Sequence, residues 1–306
     1  MQERLHEIDI LRPLTGIDYI SVPLWQGAEM QGMDTAPEVL NRLGLLAVLE
    51  SQFSTTYYPL PRLDHVDEMT KYAQLSTYLL KLKAQVLKSF QHSHLPLTIG
   101  GDHSIGLGSA AATSEMFENA GLIWFDAHGD MNTEASSITG HIHGMPVAAL
   151  MGLCSSEINR VPSTYFKPEN IFWIGSRSLD EGEIKLINTK HLHIYSAEHI
   201  HQNGMRAVMS EVLEQIHKQG IEHIHLSMDV DAIDPKLFPA TSVPEPNGLT
   251  FGDFDIFVQS ISVIGNQIEA IDWVEYNPTL DNNDYECGKW CVDSICRVLK
   301  TIKEQA

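Results

Sequence analysis

Basic residues are scarce in this chain. Its 306 residues include 20 Lys and Arg against 40 Asp and Glu, which gives a formal net charge of −20 at pH 7. A surface of this sign repels phosphate backbones and anionic lipid headgroups. We therefore expect no nucleic-acid partner and no membrane surface as partner.

Long apolar runs are also missing. A membrane-spanning helix needs about 18 or more consecutive apolar residues, and no such run occurs. The first nine residues carry two glutamates and an aspartate before any apolar run, which is unlike a secretory signal. Both features predict a protein that neither spans a membrane nor enters the secretory route.

Cysteine is rare, with Cys154, Cys287, Cys291 and Cys296 as the only four. The last three lie four and five positions apart in a helical pattern, where a buried stripe explains them better than a disulfide framework. A zinc site is a weaker interpretation, because neither a paired CxxC nor a nearby His accompanies them. The cysteine usage predicts a reducing, cytoplasmic location.

The composition is otherwise that of a globular protein, with 43% hydrophobic and 20% charged residues. Apolar runs of strand length alternate with amphipathic helical patterns along the chain. The predicted strands are 17–22, 95–99, 121–125, 170–174, 192–195, 223–228 and 268–274. The clearest helical patterns are 36–49, 68–91, 201–218 and 289–300.

This alternation predicts parallel β-α-β units in an α/β fold, with helices covering both faces of the sheet. No linker, shift of composition or fixed repeat divides the sequence, so we expect one domain over residues 1–306. Two stretches, 127–144 and 229–248, fit neither pattern. Long irregular segments inside a compact α/β domain are usually functional loops.

Acidic and imidazole side chains follow four of the predicted strands. Ligands of a parallel sheet bind outside the carboxyl ends of its strands, so these groups should meet at one edge. They are Asp102 and His103 after 95–99, Asp126, His128 and Asp130 after 121–125, Asp229 and Asp231 after 223–228, and Glu275 after 268–274.

Four carboxylates, those of Asp126, Asp130, Asp229 and Asp231, would then share one cavity. Like charges a few Å apart cannot all stay ionised without compensation, and two divalent cations would supply it. Ligands that are mostly oxygen, with some nitrogen and no thiolate, favour Mn²⁺, with Fe, Co or Ni as alternatives.

A single Asp-rich turn more often caps a helix or bonds a loop than binds a metal. Asp102 fits that simpler role, and Asp234, before a proline, fits a turn. Three motifs with matching topology nevertheless favour the metal interpretation.

Four segments of the sequence resemble the signatures of the ureohydrolase family, which comprises arginases, agmatinases and formimidoylglutamases. They are GGDHS at 100–104, DAHGD at 126–130, HIHGMP at 141–146 and SMDVDAIDP at 227–235. The resemblance runs from residue 17 to the end and is closest to bacterial-type arginases. It implies a three-layer α/β/α sandwich around a mainly parallel sheet (the arginase-like fold), two Mn²⁺ per subunit, and a homo-oligomer, a trimer or hexamer.

The resemblance also implies a role for each site residue. One metal would be held by His103, Asp126, Asp130 and Asp229, and the second by His128, Asp126, Asp229 and Asp231. His143 corresponds to a histidine that shuttles protons, Asp231 would relay a proton to the departing amine, and Glu275 would pair with a guanidinium. All these positions are intact, which disfavours a catalytically inactive binding protein.

The implied reaction is hydrolysis of a guanidino group, with L-arginine and water giving L-ornithine and urea. Asn132, Thr139 and His141 correspond to contacts of the substrate α-carboxylate, although arginases usually have Asn in place of His141. Asp180 and Glu183 correspond to contacts of the α-amino group.

Those two acids equally fit the first turn of a helix. Ser178 replaces a common Asp, and Val243 stands where arginases commonly have Thr. An agmatinase or formimidoylglutamase type of activity therefore remains the alternative.

A dinucleotide-binding oxidoreductase is the rival from another class of enzyme. Residues 106–111, GLGSAA, match the loose GxGxxA fingerprint. The match begins several residues beyond the strand, where a helix should already have started. Small residues at that place are better explained by close packing of the helix on the sheet.

Overall fold

The structure, a computed structural model, describes residues 15–63, 65–67 and 70–303. The nine N-terminal residues considered above, and the first two residues of the predicted helix 68–91, lie outside the described part. Within that part no helix is both long and apolar enough to cross a membrane.

Within the described residues, a single parallel sheet of eight strands forms the centre of the fold. The strands are β1 (Gly16–Val22), β2 (Thr55–Pro59), β3 (His94–Gly100), β4 (Gly121–Phe125), β5 (Ile171–Ile174), β6 (His193–Tyr195), β7 (Ile224–Asp229) and β8 (Ile268–Val274). Their order across the sheet is β2-β1-β3-β8-β7-β4-β5-β6. The four strands that precede the predicted site residues, β3, β8, β7 and β4, are therefore neighbours at the centre.

Helices cover both faces of the sheet, as expected of a parallel sheet that is buried on each side. They are α1 (Ala36–Arg42), α2 (Leu45–Gln52), α3 (Lys71–Gln91), α4 (Ile105–Met116), α5 (Pro146–Leu150), α6 (Glu181–Lys190), α7 (Ala197–Asn203), α8 (Met205–Lys218), α9 (Phe251–Ile261) and α10 (Glu286–Lys303).

In the described part of the chain, two apolar cores lie between these layers. One joins the sheet to α1, α2 and α7–α10, and the other joins it to α3–α6. The predicted three-layer α/β/α fold is confirmed.

Two predicted helices are each divided by a glycine. Gly44, with φ of 103°, separates α1 from α2, and Gly204, with φ of 84°, separates α7 from α8. A positive φ is easily reached by glycine, which has no Cβ, and it breaks the helical backbone. The expected continuous helices 36–49 and 201–218 are wrong at these points.

Strand β2 is absent from the sequence-based prediction. It lies at the edge of the sheet, pairs only with β1 among the described strands, and ends at a proline. Its side chains are exposed or half-buried, so it lacks the near-complete burial of mostly apolar residues that marks the central strands. In α10, by contrast, Cys287, Cys291 and Cys296 are buried and unpaired, as the stripe predicted.

Candidate active site

The loop after β3 brings His103 to the carboxyl edge of the sheet. Gly101 is required there because a Cβ on it would lie 1.5 Å from the carbonyl oxygen of Leu24. Asp102 then fixes the loop, since its carboxylate accepts hydrogen bonds from the backbone N–H groups of Gly27 and Ser104 at 2.9 and 3.0 Å. Asp102 thus has the structural role that the sequence allowed for it.

His103 faces three carboxylates from two other strand ends. Its Nδ1 lies 2.8 Å from Asp126 Oδ2, 3.0 Å from Asp229 Oδ2 and 3.2 Å from Asp130 Oδ2. All four side chains are buried. The predicted ligands of the first metal therefore converge on one point.

His128 forms a second cluster beside the first. Its Nδ1 lies 2.9 Å from Asp231 Oδ2 and 3.4 Å from Asp126 Oδ1. The two oxygens of Asp126 thus face the two histidines, one each. Asp229 Oδ1 accepts a hydrogen bond from the backbone N–H of Asp231 at 2.8 Å, and this bond fixes Asp229 relative to Asp231.

The donor atoms of both clusters suit divalent cations. His103–Asp126–Asp229 and Asp126–His128–Asp231 each place one ligand atom per residue within 4.8 Å of the others. His103 Nδ1 and Asp126 Oδ2 are buried without a hydrogen bond, although they lie close together. Unpaired buried polar atoms of this kind are costly, and a cation with oxygen and nitrogen ligands would satisfy them.

Burial and the neighbouring acids raise the pKa values of two carboxyl groups in these clusters. Burial, followed by repulsion from Asp126, raises the pKa of Asp130 to about 7. Burial and the charges of Asp231 and Asp126 likewise raise the pKa of Asp229 well above its usual range. Without cations, this cluster would retain protons instead.

Glu275 lies beside the clusters in an unusual backbone conformation, with φ of 64°; Asp130, with φ of 52°, shares it. Non-glycine residues seldom adopt this region, and such conformations concentrate at functional sites. Glu275 Oε1 accepts from the His103 backbone N–H at 2.8 Å and lies 3.4 Å from His143 Nδ1. Its Oε2 is buried without a partner, so one carboxylate oxygen is available to a ligand.

His143 is a titratable group in contact with Glu275. Burial alone would lower its pKa, but the hydrogen bond and charge of Glu275 outweigh burial and raise the pKa of His143 to about 9. About 20% of its side chain is exposed. A histidine placed between a buried carboxylate and solvent can carry protons between the two.

A cavity of about 810 Å³ opens above these groups. Apart from Asp126, which lies beneath it, all the predicted site residues line this cavity. They are His103, His128, Asp130, Asn132, Thr139, His141, His143, Asp180, Glu183, Asp229, Asp231 and Glu275. None of the described residues that line it is Lys or Arg, so its field favours cations.

The two acids predicted to contact an amino group also stabilise the protein itself. Glu183, in the first turn of α6, accepts from the backbone N–H groups of Asp180 and Met131 at 2.8 and 2.9 Å. Asp180 precedes α6 and accepts from the Asn132 side-chain amide at 2.7 Å. Asp180 and Glu183 therefore both stabilise the start of α6 and line the cavity, so their position agrees with either interpretation.

Glu245 is a cavity residue that the sequence analysis did not single out. It lies in the irregular segment 229–248, and its Oε1 accepts from the Ser178 hydroxyl at 3.1 Å and lies 3.9 Å from His128 Nε2. The only signal was its place in that segment, because no spacing rule links it to the other acids. A carboxylate thus stands beside Ser178, which replaces a common Asp.

The remaining motifs have structural explanations. The carboxylate of Asp234 accepts from the backbone N–H groups of Lys236 and Gly248 at 3.0 and 2.9 Å, as a turn-forming aspartate does. The GLGSAA match lies inside α4, where a Cβ on Gly106 or Gly108 would meet Trp124 or Leu79 within 3 Å. Its small residues serve close packing.

Comparison with known proteins agrees with this site. The model of the Arginase family matches residues 17–297. The arginase of Entamoeba histolytica is 34% identical over 276 residues, which cover 87% of this chain and 92% of the relative. Its crystal structure in complex with L-ornithine superposes with a TM-score of 0.86 and 30% identity, covering 95% of this chain and 99% of that one.

A bacterial relative gives the same result. The native structure of Bacillus caldovelox arginase has a TM-score of 0.87 and 31% identity, with 94% of this chain and 98% of that chain covered. The fold and its carboxylate-rich edge define a ureohydrolase. The chain belongs to the arginase family, and it is a hydrolase that acts on the C–N bond of a guanidino group.

Proposed function

We propose that this enzyme hydrolyses L-arginine to L-ornithine and urea with two divalent metal ions, Mn²⁺ in the first instance. The observation that carries the proposal is the pair of histidine–aspartate clusters that share Asp126 at the floor of the cavity. His103, Asp126, Asp130 and Asp229 would hold one ion, and His128, Asp126, Asp229 and Asp231 the other. When bound, two such ions supply a hydroxide nucleophile near neutral pH and Lewis acidity.

Glu275 would bind and orient the guanidinium. Its buried Oε2 has no other partner, and its Oε1 is held by the His103 backbone. A carboxylate in this position can accept N–H groups of the planar cation and fix the carbon for attack. Burial raises the pKa of Glu275, and a bound cation would restore its charge.

Asp231 and His143 would move protons. Water adds its oxygen to the guanidinium carbon, the C–N bond to the side chain breaks, and the departing amine needs a proton. Asp231, beside His128, would relay that proton, and His143, partly exposed, would exchange protons with solvent. The products are then urea and the amine of ornithine.

Asn132, Thr139 and His141 would contact the α-carboxylate of arginine, and Asp180 and Glu183 its α-amino group. These residues line the cavity together with Glu275. Support comes from the relative that was crystallised with L-ornithine. The side chains of Asn132 and Thr139 and the imidazole of His141 are neutral or cationic, which suits a carboxylate.

A second candidate substrate is agmatine, which has no carboxylate, or N-formimino-L-glutamate, an amidine that keeps its carboxylates, as in agmatinase- and formimidoylglutamase-type enzymes. It is favoured by the acidic wall that includes Glu245, together with Ser178 and Val243, which depart from the arginase pattern. Urea or amine release from L-arginine, agmatine and N-formimino-L-glutamate at equal concentrations decides between them. Preference for agmatine would refute the assignment of Asn132, Thr139 and His141 as carboxylate contacts, and preference for N-formimino-L-glutamate would refute L-arginine as the substrate.

Two variants test the division of roles. Asp126→Ala should remove both bound metal and activity, because its two oxygens face both histidines. His143→Ala should retain the metal, measured by elemental analysis, and lower turnover by about 100- to 10,000-fold, as loss of a positioned acid–base group does. Full turnover in Asp126→Ala would show that the bridging assignment is wrong.

We further propose that the chain forms one domain over residues 1–306, acts in the cytoplasm and assembles as a trimer or hexamer. The single sheet supports one domain, and the four unpaired cysteines support a cytoplasmic location. Membership of the arginase family supports the oligomeric assembly. Light scattering of the purified protein tests the assembly, and a monomer at micromolar concentration would contradict it.

A further inference from the structure

A line of buried polar side chains leads from the first metal cluster into the centre of the sheet. His103 Nε2 lies 2.9 Å from the hydroxyl of Ser227 on β7, and this hydroxyl donates to Asp272 Oδ2 on β8 at 3.2 Å. His103 is 1% exposed, and Ser227 and Asp272 are fully buried. The histidine is thus connected on its far side to a carboxylate in the core.

Asp272 is held by other donors as well. Its Oδ2 accepts from the Ser109 hydroxyl of α4 at 2.6 Å and lies 2.8 Å from His225 Nε2. The other nitrogen of His225 is 2.9 Å from the Thr113 hydroxyl. Burying a carboxylate is costly unless it is paired and hydrogen-bonded; all these bonds reach Oδ2 and orient the side chain, while Oδ1 is buried without a hydrogen-bond partner.

The direction of these bonds decides which nitrogen of His103 carries the proton. Ser227 has one hydroxyl proton, and the Asp272 carboxylate can only accept. Once Ser227 has donated to Asp272, its oxygen can only accept from His103, so Nε2 must be protonated. Nδ1 then presents its lone pair to Asp126, Asp130 and Asp229, as a metal ligand must.

The plane of the same ring is fixed independently. The indole of Trp124, on β4, stacks on His103 with ring centroids 3.9 Å apart and an interplanar angle of 4°. Stacking sets the plane but leaves rotation within it free. The bond to Ser227 removes that remaining freedom.

We propose that Asp272, acting through Ser227, is a positioning residue that keeps His103 protonated on Nε2 and its Nδ1 directed at the first metal cluster. This inference rests on the proposed metal-dependent function. It adds a carboxylate–serine–histidine chain in which the serine bridges two groups that do not touch. Outer partners of this kind typically contribute 10- to 100-fold to metal affinity.

The test measures Mn²⁺ affinity by competition with a chromogenic chelator, in wild type, Asp272→Asn and Ser227→Ala. The wild type should show two binding steps, and both variants should weaken one step by about 10- to 100-fold. Ser227→Thr restores the hydroxyl and should recover most of the affinity. Circular dichroism and thermal unfolding establish that each variant is folded.

Ser109→Ala is the matched control, because it removes a donor to the same carboxylate without touching the link to His103. Its Mn²⁺ affinity should stay within about 3-fold of wild type. A second readout is the exchange with water of the His103 Nε2–H proton in Zn²⁺-loaded protein, followed by NMR. That proton should exchange faster in Ser227→Ala and not in Ser109→Ala.

Two results would overturn the inference. One is unchanged affinity in folded Ser227→Ala, which decides the question even where Asp272→Asn fails to fold. The other is an equal loss in Ser109→Ala, which would indicate a general packing effect. Absence of any divalent-ion binding in the wild type would instead refute the proposed function, so the two failures are distinguishable.

Discussion

At the scale of single residues, Glu245 shows how one structural contact can offset a change elsewhere in the sequence. The position of Ser178 lacks the common acidic side chain, yet a carboxylate reaches the same place from the segment after β7. Sequence spacing could not predict this, because the contact joins residues 67 positions apart through a loop without periodic pattern. The acids of the two clusters were predictable, since each lies at the end of a mostly apolar strand or within five residues of it.

Glu245→Gln should raise KM for L-arginine about 3-fold and leave kcat within about 2-fold. The change removes one charge from the acidic wall, and unit charges ~7 Å apart in water interact by about 0.6 kcal/mol. Steady-state kinetics at low ionic strength measures it. Glu50→Gln, the same change at an exposed position of α2, is the control, and an equal KM in both variants would contradict the expectation.

Cys154 should resist alkylation even though it is partly exposed. Burial, with a further contribution from Glu134, raises the pKa of Cys154 to about 12, and only the thiolate reacts. At pH 8 its reaction with iodoacetamide should be about 1000-fold slower than that of free cysteine, and faster as pH approaches 12. Peptide mass spectrometry measures labelling, with urea-unfolded protein as control; stoichiometric labelling of native protein within minutes would refute this.

At the scale of elements, the sequence predicts the buried central strands, which have a clear apolar pattern. It misses the strand at the edge of the sheet. Central strands β3, β4, β7 and β8 are mostly apolar and almost wholly buried, so their ends and the acids that follow them could be placed. The edge strand β2 has no buried face to leave such a pattern. The division at Gly204 arises from one backbone angle, which helical periodicity does not record.

Helices α6 and α9 each have an acidic residue at their third position, so the effects of removing it can be compared. Glu183 in α6 accepts from two backbone N–H groups, one of them next to Asn132 in the cavity wall. Asp253 in α9 accepts from Thr250 in the same way, away from the cavity. Glu183→Ala should lower the free energy of unfolding by about 2 kcal/mol and Asp253→Ala by about 1 kcal/mol.

Only Glu183→Ala should also raise KM, because the backbone beside Asn132 loses its acceptor. Urea unfolding and steady-state kinetics on both variants provide the two measurements. A rise in KM in Asp253→Ala, or no rise in Glu183→Ala, would contradict the expectation that Glu183, and not Asp253, supports the cavity wall.

At the scale of the whole molecule, metal binding should be linked to stability. The acidic cluster is assembled only in the folded state, so cations bind it in preference to the unfolded chain. At 100 times the dissociation constant this linkage amounts to about 2.7 kcal/mol, which predicts a rise in Tm of about 5 °C with Mn²⁺.

Differential scanning calorimetry with EDTA and with Mn²⁺ measures the shift. Asp126→Ala should abolish it, whereas Asp234→Ala, which affects only a turn, should retain it. Equal shifts in both variants would mean that Mn²⁺ acts away from the proposed clusters.

The order of strands has a consequence for how the protein is made. β7 and β8 lie between β3 and β4, although they are synthesised more than 90 residues later. A ribosome-bound chain that ends before residue 224 has its first acids and His103 but not the strands that bring them together. The two clusters proposed to bind metal should therefore form only after synthesis is nearly complete, and folding should be slow because distant segments must meet first.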